Sequence, residues 1–178
     1  MLSSTSDLTK QPWQAPESIQ IKSGVPDPDG GQGAFALVNL GQARAGLTQT
    51  LVVPSNYQYC FSLYVNASQE STFIVSRKGT AVEVNETIKI VPGWSRIQSS
   101  GRLTDPGSQI SVSVCLDPGQ QLQVYGPQLE AQCAPSRYRA NAQNGCVYPQ
   151  SHWASDQLSI IAEAPNLYAV GVSIETTV

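Results

Sequence analysis

Turn-forming clusters recur along this chain at roughly ten-residue spacing, and that rhythm limits what it can fold into. Pro54-Ser-Asn56, Lys78-Gly79, Pro92-Gly93, Asp105-Pro-Gly107 and Asp117-Pro-Gly119 each supply a restricted or left-handed-competent backbone between apolar runs. Strands at such spacing, bounded by such turns, are the pattern of a sandwich and not of βαβ units. Within the intervals the pattern has a period of two. Tyr59, Phe61, Leu63 and Val65 alternate with Cys60, Ser62, Tyr64 and Asn66; Ile110, Val112, Val114 and Leu116 alternate with smaller residues; Leu122 and Val124 alternate with Gln123 and Tyr125. No segment keeps apolar residues at i, i+3, i+4 and i+7 beyond two turns. The expected fold class is therefore all-β, an antiparallel β-sandwich with the first-named residue of each alternating pair in its core.

Strands are expected around Ile19 and Ile21 and over 34–40, 47–53, 57–66, 72–77, 81–91, 96–101, 109–116 and 121–125. Gly126-Pro127 should end the last of these, because it removes a side chain and a backbone donor. Residues 1–12 are polar and aperiodic and read as a flexible leader. Residues 13–178 then form a single sandwich domain, in which 150–178 either complete the sheets or project as a hairpin. At 178 residues, 40% apolar and 13% charged, the chain is long enough for one core and short for two average domains.

The formal charge of −3, with ten scattered Lys and Arg, offers no basic stripe for nucleic acid. No positive and apolar leader opens the chain, and no run of eighteen apolar residues makes a membrane span. The single histidine, His152, lies near Ser151 and Asp156, but no G-x-S-x-G elbow accompanies it. The chain reads as non-catalytic. Cys60 and Cys115 sit in apolar strands as buried thiols, while Cys133 and Cys146 flank a loop and are equally compatible with a bridge or with free thiols.

Tyr125-Gly-Pro-Gln-Leu-Glu130, followed by Pro135-Ser-Arg-Tyr138 and read with Trp94-Ser-Arg96, resembles the C-terminal half of jelly-roll carbohydrate-binding modules of the type found in phage tail and tail-associated proteins. The resemblance covers roughly residues 25–140. It implies a jelly-roll sandwich, a glycan or polysaccharide partner, and a place on a virion tail or outside the cell. It also implies a mainly structural role for Trp94. The expected function is a non-catalytic module binding glycans; the alternative is a structural virion or assembly protein that uses the same sandwich for contacts between copies or with other virion proteins.

Outward alternation assembles a candidate glycan platform from Tyr64, Asn66, Ser113, Gln123 and Tyr125 on one concave surface, with Arg77 and Gln128 near its edge. Sugar recognition needs rings to stack on pyranose faces and polar groups aimed at hydroxyls, and this set supplies both. The alternative is that Tyr64 and Tyr125 lie partly beneath a loop. Asp27-Pro-Asp29-Gly-Gly31 places two carboxylates at i and i+2 in a glycine-bearing loop. Structural Ca²⁺, which the resembled modules often carry near their first strands, would find hard oxygen ligands there; a plain Asp-Pro turn is the other reading.

Overall fold

The computed structural model describes residues 2–141 and, beyond them, the backbone of 151–153, 159–164, 167–171 and 174–176. The chain separates into two units, Met1–Gly145 and Cys146–Val178. In the first, nine strands follow the expected rhythm: β1 (Ile19–Val25), β2 (Ala34–Asn39), β3 (Ala45–Leu51), β4 (Tyr59–Asn66), β5 (Ser71–Lys78), β6 (Glu83–Ile90), β7 (Ser95–Gly101), β8 (Ile110–Leu116) and β9 (Gln121–Glu130). They form two antiparallel sheets, one in the order β1-β2-β9-β4-β7 and one in the order β3-β8-β5-β6. The fold is the expected all-β jelly-roll sandwich, with no helix among the described residues.

Period-two patterning works as anticipated. Phe61, Leu63 and Val65 of β4, Ile110, Val112, Val114 and Leu116 of β8, and Leu122 and Val124 of β9 are all buried in one core with Phe35, Leu37, Phe73 and Val75. The alternate residues of the five-stranded sheet point to its outer face.

Gly126-Pro127 does not end β9. Ser62 of β4 stands opposite Gln128 and Tyr64 opposite Tyr125, so Leu63 alone faces both Gly126 and Pro127. This is a β-bulge, a place where a sheet accepts a proline and where a glycine takes a left-handed conformation. Gly126 has φ of 59°. The extra residue also changes parity, so that Leu129 returns to the core, 0% exposed, while Gln128 and Glu130 join Tyr125 on the outer side.

Residues 1–12, expected as a loose leader, are instead packed where the structure describes them. Leu2, Leu8 and Trp13 belong to the main core. Trp13 donates its indole N–H to the Ser4 carbonyl, the Gln49 amide of β3 exchanges two hydrogen bonds with the Ser3 backbone, and Gln14 bridges to Thr48. Widely spaced apolar residues in a polar stretch show no period, yet each finds a place in a core built by other strands.

In the second unit, β10 (Ser151–Trp153) pairs antiparallel with β13 (Ile174–Thr176), and β11 (Ser159–Ala164) with β12 (Leu167–Gly171). Among the described residues these four strands form two two-stranded sheets, β10-β13 and β11-β12. These strands belong to the second unit, Cys146–Val178. Cys133 is a free, exposed thiol and Cys60 a free, buried one, while Cys146 lies outside the described residues.

Candidate functional site

The outer face of the five-stranded sheet is ordered in rows by strand register. Tyr64 of β4 stands between Arg96 of β7 and Tyr125 of β9, and Ser62 between Gln98 and Gln128. Asn66 faces Gln123, which in turn faces Ala36 of β2. The two tyrosine rings lie 6.0 Å apart, tilted by 53°. The Arg96 guanidinium sits 5.4 Å from the Tyr64 ring centre, a cation held over a π face. Trp94, just before β7, and Tyr125 both pack on a small apolar cluster of Val25, Ala34 and Ala36.

Hydrogen bonding fixes some of this face and leaves some of it open. Asn66 donates its amide N–H to Gln123 Oε1 at 2.8 Å and accepts the Gly93 N–H at 2.9 Å. The Gln123 side-chain NH₂ is thereby left without a protein partner among the described residues. Asn66, Ala67, Ser68, Gln121 and Gln123 line an adjoining cleft of about 200 Å³. Gln98 is exposed on the other side of the tyrosine row, opposite Ser62.

Tyr125 is more enclosed than Tyr64. Its hydroxyl donates to Asp29 Oδ2 at 3.0 Å, and the Gly33 backbone packs against its ring. Burial, followed by the bond to Asp29, pushes its hydroxyl up to about 12, so it stays a neutral donor at physiological pH. On its other side Tyr138 meets it edge-on at 5.2 Å and stacks over Gly126, where a Cβ would come within 2.9 Å of the Tyr138 ring. Tyr138 donates to the Thr5 carbonyl, and Ser136 binds Gln128 and Glu130. Residues 136–138 thus form a strap along one side of the face, and the partial covering of Tyr125 is part of the design.

Five of the residues expected to bind ligand, Tyr64, Asn66, Gln123, Tyr125 and Gln128, do share this face. Ser113 and Arg77 do not. Ser113 lies on β8 in the opposite sheet, hydrogen-bonded to Thr48, because outward positions of the two sheets point in opposite directions. Arg77, on β5, is buried between the sheets, where it donates to Ser99 and Glu86 and to the Ser100 carbonyl. Its alternation is ambiguous in sequence, since Val75, Ser76 and Arg77 are all buried.

Asp27 and Asp29 both serve as hydrogen-bond acceptors within their own surroundings. Asp27 accepts the backbone N–H groups of Asp29, Gly31 and Gly33, and Asp29 receives the Tyr125 hydroxyl. The Gly33 amide, with the others, holds the Asp27 carboxyl below its ordinary value. These donors are what a carboxylate turn needs. No group of three or more acidic, histidine or cysteine side chains suited to a metal exists among the described residues.

Trp94, Arg96, Gln98 and Tyr138 belong to the face but were not assigned to it from sequence. Trp94 and Tyr138 precede or follow a strand, where alternation carries no information, and Arg96 and Gln98 meet Tyr64 and Ser62 only through the pairing of β4 with β7.

No protein-family model matches the chain, and no curated protein matches it. Solved structures do. The C-terminal family 22 carbohydrate-binding module of Clostridium thermocellum Xyn10B superposes with a TM-score of 0.58 at 16% identity, over 76% of this chain and 95% of that one. A xylan-binding domain of Paenibacillus barcinonensis gives 0.57 at 15% identity, over 74% and 94%. The enzymatically active domain of tailspike protein 4 from bacteriophage CBA120 gives 0.58 at 11% identity, over 74% of this chain but 21% of the tailspike chain. At these identities the likeness is one of fold.

Proposed function

We propose that this chain is a non-catalytic carbohydrate-binding module that takes a glycan or polysaccharide along the outer face of its five-stranded sheet. The observation that carries the reading is the pair of tyrosine rings, Tyr64 and Tyr125, held 6.0 Å apart on adjacent strands and bordered by Trp94, Gln98 and the unpaired Gln123 amide. Aromatic faces beside unpaired amides match the amphipathic surface of a sugar ring. The likeness to carbohydrate-binding modules supports the same reading at the level of the fold. The fold likeness to a tailspike domain is compatible with a place on a phage tail.

Tyr64 is the better probe, because Tyr125 also anchors the Asp29 loop and the Tyr138 strap. Tyr64→Ala should weaken binding by roughly 1 kcal/mol, about fivefold, without lowering the melting temperature by more than a few degrees. A glycan array followed by calorimetry on the best hit reads this directly. A wild-type chain that binds no glycan and forms a stable oligomer by light scattering, with Tyr64 protected in it, would instead support a virion assembly protein.

A further inference from the structure

Ten Lys and Arg occur in the chain, all among the described residues, and of these Arg77 is buried, Arg96 half-buried and the rest exposed. The surroundings of these two arginines differ. Arg77 has its counter-charge, Glu86, at 3.1 Å. Arg96 has none: no carboxylate among the described residues pairs with it. Its Nη2 donates to Ser62 at 3.0 Å, its Nε is buried with no partner, and its Nη1 has no protein partner either. The acids along this face have other hydrogen-bond partners, Asp29 the Tyr125 hydroxyl and Glu130 Ser136.

A guanidinium partly withdrawn from water without a counter-ion is unfavourable, and removing that cost is open to any ligand that brings a negative charge. Arg96 is also pre-set for the task. The Tyr64 ring beneath it and the Ser62 bond hold the planar fork, which matches a carboxylate or sulfate through parallel N–H bonds. Because Arg96 and Tyr64 are direct neighbours across the β4–β7 ladder, a sugar held against the part of the ring that Arg96 leaves uncovered brings its substituents to the arginine.

We infer that the face selects acidic glycans, Arg96 reading an anionic substituent, a carboxylate or a sulfate ester, on a sugar held beside Tyr64. This rests on the glycan-binding reading above and goes beyond it by naming the ligand class.

The test uses the whole chain and a panel of acidic polysaccharides, polygalacturonate, glucuronoxylan, alginate and chondroitin sulfate. Each is paired with its carboxyl-reduced or desulfated form, and neutral xylan and β-1,4-galactan are included. The wild type should bind at least one acidic polymer about tenfold more tightly than its neutralised form, the size of one charge-assisted contact. Carboxyl-reduced and desulfated members show which anion is read. Arg96→Gln should remove most of that preference, and Arg96→Lys should restore part of it. Should Arg96→Gln fail to fold, the wild type alone still decides, since affinity for the acidic polymer must fall between 50 mM and 500 mM salt while that for its neutral form holds. Equal affinity for acidic and neutralised polymers, or a preference that survives in a folded Arg96→Gln, overturns the inference and leaves glycan binding standing. Binding to no member of the panel, neutral ones included, overturns both.

Discussion

Gly126 shows how much one residue decides here. Its left-handed φ allows the bulge, and its missing side chain lets the Tyr138 ring lie on the β9 backbone, so a single glycine sets both the parity of the strand and the seat of the strap. Asp105 performs a comparable local task at the turns. Its carboxylate accepts the N–H groups of Ala81, Val82 and Gly107, and the Ala81 amide leads in holding it below the ordinary 3.8. A carboxyl depressed in the folded state stabilises above its unfolded pKa and loses that contribution as pH falls through the folded one. Asp105→Asn should therefore melt below the wild type at pH 7, and the gap should close on acidification below about pH 3.8. Thermal melts across pH 2.5 to 7, roughly the span of carboxyl titration, check it; a gap that stays constant would mean the turn does not depend on the charge.

At the scale of the element, β4 holds the molecule together and presents the site. It pairs with β7 on one side and β9 on the other, so its inward residues are central to the core and its outward ones central to the face. Leu63 faces the bulge and is 1% exposed. Leu63→Ala should cost about 2 to 5 kcal/mol in denaturant unfolding, because the bulge geometry opposite limits how far the cavity can collapse. A loss below about 0.5 kcal/mol would contradict this register and, with it, the outward placement of Tyr64.

For the whole molecule, the question is which segments the sandwich needs. Leu2, Leu8 and Trp13 lie in its core, whereas β10 to β13 form two two-stranded sheets in the second unit. Removing residues 1–13 should destabilise the protein by roughly 5 kcal/mol or more, at about 1.5 to 3 kcal/mol for each buried apolar side chain. Removing 146–178 should leave cooperative melting of the sandwich within a few degrees of the full chain. The reverse ranking, by calorimetry, would show that the second unit supports the core.

Period two and the Gly, Pro, Asp and Asn punctuation were sufficient to specify the sandwich and its inward faces, because burial of alternate side chains is a local consequence of the strand backbone. The same rule reached Tyr64, Asn66, Gln123 and Tyr125 as outward residues. It did not reveal which outward residues share a sheet: Ser113 and Arg77 obey or blur the alternation, yet belong to the opposite sheet. Nor did it place Arg96 beside Tyr64, or dock the N-terminal apolar residues, since these depend on strand order and on space left by distant segments. Side-chain parity is written in neighbouring residues; adjacency across strands arises only when long-range pairing and the packing of the two sheets choose one arrangement.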